Sequence, residues 1–226
     1  MIHNGKNKAL PPFNIELKQS VKSRGFTLIE LVVVIVMIGF LAVNAIPRFI
    51  DLTGQAKKAN IQGMAGGFAT GVSLVRSQWE SESRPKDTSD INFVSYDGTT
   101  VYLTSENTTT TPGIRPGYIV GTSSSAGINS GTMSASDCVA VWNSLLQQPP
   151  QIATNVSNIN GNSSIQYLAS VSGSGASTLC YYHLKDTLAR DSNDQYIAPS
   201  GLSTVGNSFS YQPANSSVVI YINDNS

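Results

Sequence analysis

The chain has 226 residues, 40% apolar and 12% charged, with a formal charge of zero; this composition is globular rather than disordered, and the length suits one domain or one domain plus an appendage. The charge is unevenly placed. Residues 1–25 hold five basic residues (Lys6, Lys8, Lys18, Lys22, Arg24) against the acid Glu16, so of 14 basic and 14 acidic residues the remainder keeps 9 and 13, a net charge of −4, and the basic face that a nucleic-acid partner requires is excluded.

From Phe26 to Pro47 the sequence FTLIELVVVIVMIGFLAVNAIP is apolar. Its roughly 22 residues would rise about 33 Å as a helix, against the roughly 30 Å hydrocarbon core of a bilayer. The basic block ahead of it predicts a cytoplasmic N-terminus and places residues 50–226 across the membrane. A cleaved secretory signal would need a small-residue site, for which AVNAIP (Ala42 to Pro47) is a poor candidate. A plain signal anchor fits the length but leaves Glu30 unexplained, since an acidic side chain at the centre of a membrane helix costs roughly 2.5–3.5 kcal/mol.

Beyond Asp51 the apolar residues Ile61, Met64, Phe68, Val72, Val75 and Trp79 recur at steps of three and four, with Ala65 and Ala69 beside them. That spacing is one face of an amphipathic helix. A helix from Phe26 to about Glu82 would be roughly 85 Å long, apolar all round at first and striped thereafter. Gly39, Pro47 and Gly54 invite bending or melting. Gly63, Gly66, Gly67 and Gly71 suit close packing against a sheet or a neighbouring helix.

After Arg84-Pro85 helix formers give way to Ser, Thr, Asn and Gly. INFVSYDGTTVYLT (Ile91 to Thr104) predicts a hairpin around Asp97-Gly98. Ser105 to Ser134 reads as a polar loop with a short strand at Tyr118 to Val120. SASDCVAVWNSLLQQPP predicts a helix with a Ser or Asp cap, with Cys138, Trp142 and Leu145 or Leu146 inward, and with Pro149-Pro150 as its stop. Strands are predicted around STLCYYHL, at Ser164 to Val171, at Gln195 to Ala198, and as a pair at Phe209 to Gln212 and Val218 to Ile222. The head is therefore α+β, an antiparallel sheet closing over the helix stripe.

Cys138 and Cys180 form no CxxC pair and no cluster of metal-ligand spacing; in an exported domain they read as a disulfide, with two buried free thiols as the alternative. No catalytic or metal site is expected, and no cofactor. His183 would have to serve any hydrolytic triad, with Asp186 or Asp191 as the acid, yet no GxSxG elbow is present and YYHLKD reads as a strand. DSND (Asp191 to Asp194) could be a calcium loop but reads more simply as a turn. Sequons occur at Asn107, Asn155, Asn162 and Asn215. The Ser/Thr/Asn-rich loops suit a solvated surface, with surface glycans as a candidate partner.

Arg24-Gly25-Phe26-Thr27-Leu28-Ile29-Glu30 resembles the prepilin processing motif of type IV pilins and type II secretion pseudopilins. The resemblance is strong from Arg24 to about Trp79 and weak over the head. It implies a leader, residues 1–25, that a membrane prepilin peptidase cuts between Gly25 and Phe26 and a methylated amine on Phe26. It also implies an assembly segment at 26–48, an amphipathic segment at 49–84 and a β-rich head at 85–226. Glu30 then meets the Phe26 amine of a neighbouring subunit, so each charge offsets the other's desolvation, and a buried pair broken on one side costs about 3–5 kcal/mol. Gly39 and Pro47 match the family's helix break. The implied fold is the pilin fold, one long N-terminal helix against an antiparallel sheet, often with a C-terminal disulfide loop.

The implied partners are other pilin subunits, the prepilin peptidase and methyltransferase, the inner-membrane assembly machinery and the membrane itself. The implied course runs from a single-pass inner-membrane protein to an extracellular pilus. GFTLIELVVVIV leading into AIPRFIDLTGQAKKANIQGMAGGFATGVSLVRSQWE, with the later CVAVWNSLLQQPP, resembles the mannose-sensitive haemagglutinin (MSHA) type, and its minor, larger subunits. The alternatives are a type II secretion pseudopilin and a non-polymerising single-pass anchor with a surface-binding head; an enzyme is not expected.

Overall fold

The computed structural model describes residues 25–124 and 133–223. The rest of the leader, with its basic residues, and part of the polar loop before Met133 lie outside the described residues. The chain divides into two units, Met1–Arg48 and Phe49–Ser226.

Helix α1, Leu28–Ser81, is a single helix of 54 residues with Pro47 inside it. The break expected at Gly39 and Pro47 is absent from this single chain. A proline removes one amide donor and crowds one carbonyl, and a glycine lowers propensity, but helix on both sides of each position propagates the structure through it. In the first unit the apolar side chains are exposed, Phe40 at 73% and Leu41 at 70%. Among the described residues α1 is the helix long and apolar enough to cross a membrane.

In the second unit α1 buries Ile61, Ala65, Phe68, Gly71, Val72, Val75 and Trp79, the stripe that the three- and four-residue spacing predicts. The rest of the unit supplies two sheets where a single one was expected. The first is antiparallel in the order β1 (Phe93–Tyr96), β2 (Thr99–Leu103), β3 (Ile119–Gly121). Its hairpin turns through Asp97 and Gly98, both at positive φ (46° and 76°), the type I′ geometry that Asp-Gly favours.

Helix α2, Ala135–Leu145, follows, with Ser134 and Asp137 forming a reciprocal capping box. The second sheet has the order β4 (Ile152–Ala153), β5 (Tyr167–Ser172), β6 (Leu179–Leu184), β7 (Ser208–Gln212), β8 (Ser217–Tyr221). Its first pair is parallel and the others antiparallel. A short helix α3, Val156–Gly161, capped by Asn155, lies between β4 and β5. The strand expected at Gln195 to Ala198 is reduced to one bridge, Arg190 to Tyr196, because the Asp191 carboxylate folds this segment into a turn by accepting from the Asn193 and Gln195 amides at 2.8 and 2.9 Å.

Phe68 of α1 joins the layers. Its ring lies 5.1 Å from Tyr182, 5.3 Å from both Phe209 and Tyr211, and 6.4 Å from Trp142, so one helical residue meets α2, β6 and β7. The Tyr211 hydroxyl donates to the Ile119 carbonyl at 3.0 Å and ties the two sheets together. The Tyr182 hydroxyl donates to the Cys138 carbonyl at 2.8 Å, and Cys138 is disulfide-bonded to Cys180 (Cα–Cα 5.6 Å). Closing a loop of sequence separation 42 is worth about 4 kcal/mol in the chain-entropy account.

The glycines of α1 divide into two classes. At Gly71 a Cβ would stand 3.0 Å from the Leu145 carbonyl oxygen, so α1 and α2 meet there almost backbone to backbone, whereas Gly63, Gly66 and Gly67 face open space. Gly117 (φ +91°) leaves room for the Trp79 ring, which a Cβ would approach to 2.7 Å. Gly71→Val should therefore lower the unfolding free energy by about 1–3 kcal/mol through overpacking. Gly63→Ala should raise it by about 0.5–1 kcal/mol through helix propensity. Denaturant unfolding of the full chain in micelles tests both, and equal effects of the two changes would contradict this division.

Candidate functional site

The site singled out by the sequence is the start of α1. Gly25 and Phe26 precede the helix, and Phe26 is 86% exposed. Thr27 and Glu30 close a reciprocal cap. The Thr27 amide donates to Glu30 Oε2 at 2.9 Å and the Thr27 hydroxyl donates to the same oxygen at 2.8 Å, while the Glu30 amide donates to Thr27 Oγ1 at 3.3 Å. Glu30 is therefore not a charge without a partner. It satisfies helix-end donors that have no carbonyl to bond, at the end of the helix dipole where a negative charge is favoured. The pattern that encodes this, Thr-x-x-Glu before an apolar run, was present in TLIE and is a capping-box signature independent of any family. Among the described residues Glu30 Oε1 accepts no hydrogen bond.

The remaining candidates are distributed through the head, and the fold does not gather them. His183 on β6 is buried, with neither ring nitrogen hydrogen-bonded. Asp186 instead accepts from the Tyr196 hydroxyl at 3.3 Å, and Asp191 caps its own turn, so no triad forms. Asp194 pairs with Arg190 at 2.7 Å, which leaves DSND a turn closed by its own side chains. Among the described residues no group of three or more His, Cys, Asp or Glu side chains comes together as a metal site.

The family model described as the prokaryotic N-terminal methylation motif matches residues 21–43, the segment that contains this cap. The chain is 45% identical over 58 residues to the "Type IV narrow pilus major component PilA5" of Thermus thermophilus, a match covering 26% of this chain and 50% of that one. It is 38% identical over 65 residues to a "Fimbrial protein" of Moraxella nonliquefaciens, covering 29% of this chain and 42% of the relative. The chain thus spans about half the length of the curated relatives it matches. No solved structure matches it. The chain carries the type IV pilin N-terminal methylation motif and is homologous there to type IV pilus and fimbrial proteins, on an α+β framework in which a long N-terminal helix packs on antiparallel sheets, as in the pilin fold.

Burial pushes the pKa of His183 down to about 4, well below the roughly 6.5 of the unfolded chain. Between these values the unfolded state binds the proton and the folded state does not, so stability is complete above about pH 6.5 and falls as the pH drops toward 4. The loss is of the order of 3 kcal/mol. His183→Leu should flatten this part of the stability curve and cost little at pH 7, since it also removes two unpaired buried nitrogens. Unfolding curves of the two proteins from pH 7 to 4 isolate the histidine, because the carboxylates common to both cancel in the difference.

Proposed function

We propose that this protein is a structural subunit of a type IV pilus, made with a leader at residues 1–25 and held as a single-pass inner-membrane protein with a cytoplasmic N-terminus. It then enters an extracellular filament. The observation that carries the reading is the capped carboxylate of Glu30 at the mouth of an exposed apolar helix, directly after Gly25-Phe26 and inside the matched segment 21–43.

Cleavage between Gly25 and Phe26 frees an amine on Phe26, which is then methylated. The cap survives the cut, because the Thr27 amide belongs to the Phe26–Thr27 peptide bond. Glu30 Oε2 keeps its internal donors, and Oε1 is left for the ammonium of a neighbouring Phe26. In lipid the isolated carboxylate is costly even when capped. A staggered neighbour that brings its amine lowers that cost and sets the register of parallel helices.

In this reading residues 26–48 form the membrane and assembly segment, 49–84 the amphipathic segment and 85–226 the head. Gly39 and Pro47 become the place where helix is lost on packing into the filament, a change that the isolated chain does not require. The partners are other pilin subunits, the prepilin peptidase and methyltransferase, and the inner-membrane assembly machinery. Within this class we assign the chain to the minor subunits of the MSHA type, on the resemblance of GFTLIELVVVIV leading into AIPRFIDLTGQAKKANIQGMAGGFATGVSLVRSQWE and of the later CVAVWNSLLQQPP, with a role in adhesion.

Mass analysis of protein recovered from sheared cell surfaces should find N-methyl-Phe26 as the first residue. Glu30→Ala should abolish recovery from that fraction while leaving the membrane-bound precursor processed. A chain that stays in the cell envelope, though processed, points to a pseudopilin. An intact leader together with a Glu30 variant that behaves normally points to a simple anchor.

A further inference from the structure

Strand β8 lies at the edge of the five-stranded sheet, with β7 as its neighbour, and pairs with it over Ser217 to Tyr221 without a register shift. We propose that the open edge of β8 docks a second copy of this chain, β8 against β8 in antiparallel pairing, so that two sheets become one.

The backbone groups of a sheet edge are satisfied by another extended chain or by water, and proteins that stay apart guard such edges with short strands, prolines, charges or bulges. The other edges among the described residues carry such guards. Strand β4 has two residues and follows Pro149-Pro150. Strand β3 has three, and its Ile119 carbonyl already accepts from Tyr211. At the start of β1 the Phe93 amide donates to the Pro85 carbonyl, and Lys86 bridges to Asn92. In contrast β8 reads Ser-Val-Val-Ile-Tyr, with no charge, proline or glycine, and β-branched and aromatic residues favour strand pairing. Val219 and Ile220 point to opposite faces and are 43% and 39% exposed. Among the described residues no amide or carbonyl of Val218 to Tyr221 bonds outside the pairing with β7.

A second copy fits this edge in charge and in register. The strand is neutral, so two copies meet without like charges opposed. A two-fold axis normal to the sheet keeps both faces continuous only in registers that oppose residues of like parity, since a one-residue slip would turn core side chains to solvent. The register centred on Val219 pairs all five residues: Val219 with itself, Val218 with Ile220, and Ser217 with Tyr221. Val218 packs on the core, so each Val218–Ile220 pair carries the apolar layer across the junction and covers Ile220. The same axis reverses the Ile61–Trp79 part of α1 in one copy relative to the other, which makes this contact distinct from the parallel pairing proposed through Glu30. A five-residue junction buries less than the roughly 1,000 Å² of a stable complex, so the pair exchanges readily and is best read by trapping it.

The full chain, at one copy per phosphocholine micelle, is given one added cysteine and a mild oxidant. In the proposed pair the two Val219 Cα atoms stand about 4.5–5.5 Å apart, within disulfide reach. The two Ser217 Cα atoms lie roughly 13 Å apart, beyond it. Val219→Cys should therefore form covalent dimers tenfold or more faster than Ser217→Cys, and than Leu74→Cys at an exposed position of α1. Hydrogen exchange at the outward amides of Val218 to Tyr221 should slow as protein concentration rises. Val219→Lys opposes two like charges on the axis and should remove that slowing without lowering the thermal midpoint.

Glu30→Ala should cross-link at Val219→Cys as the unaltered helix does, which separates this contact from any failure of filament assembly. The proposal is overturned by equal cross-linking at the three positions or by protection that survives Val219→Lys. It is equally overturned by edge amides already protected in dilute monomer, the sign that a segment of the same chain covers the edge.

Discussion

The architecture depends on burial of one face of α1 against the head, and Phe68 is its centre. The ring contacts aromatic side chains of α2, β6 and β7 at once, and emptying such a position typically costs about 3–5 kcal/mol. Among the described residues the two sheets share no ladder. They are held in one unit by the aromatic layer around Phe68, by the Tyr211 hydroxyl on the Ile119 carbonyl, and by α2, which the Cys138–Cys180 disulfide fastens to β6. The absence of side chains at Gly71 and Gly117 completes the fit, since at both positions the neighbouring group occupies the space of a Cβ.

The same helix carries two different solvation problems. From Ile61 to Trp79 one face of it is buried against the head of its own chain. From Leu28 to Leu52 large apolar side chains are exposed, and a contiguous surface of this kind is stable only in lipid or against other protein. One element is therefore complete at one end and in need of lipid or another protein surface at the other, as the proposed pilus subunit requires.

Glu30 can be understood without reference to other chains. Its carboxylate closes the helix start against Thr27 through one oxygen, and among the described residues the second accepts no hydrogen bond. A charge already supported by a cap and a helix dipole is cheaper to keep ionised in an apolar setting than a bare one, and its remaining acceptor points recognition toward a cation. The cap is therefore compatible with the intersubunit pairing proposed for this side chain.

The sequence by itself determined whatever depends on local chemistry and period. The stripe from Ile61 to Trp79 was legible because an amphipathic helix repeats every three to four residues, the hairpin because Asp97-Gly98 favours positive φ at both positions, and α2 because Ser134 and Asp137 cap it and Pro149-Pro150 follow it. Tertiary structure decided what depends on distant partners. Five- and three-stranded sheets replaced one sheet, because strand neighbours such as β6 and β7 are joined by a long loop whose pairing no local pattern states. The two-residue β4 and the six-residue α3 were too short to show a period. Gln195 to Ala198 carried strand-like composition, yet the Asp191 side chain took its amides. The separation of Gly71 from Gly63, and the place of β8 at the edge of its sheet, follow from where α1, α2 and the strands pack, and that is a property of the folded chain alone.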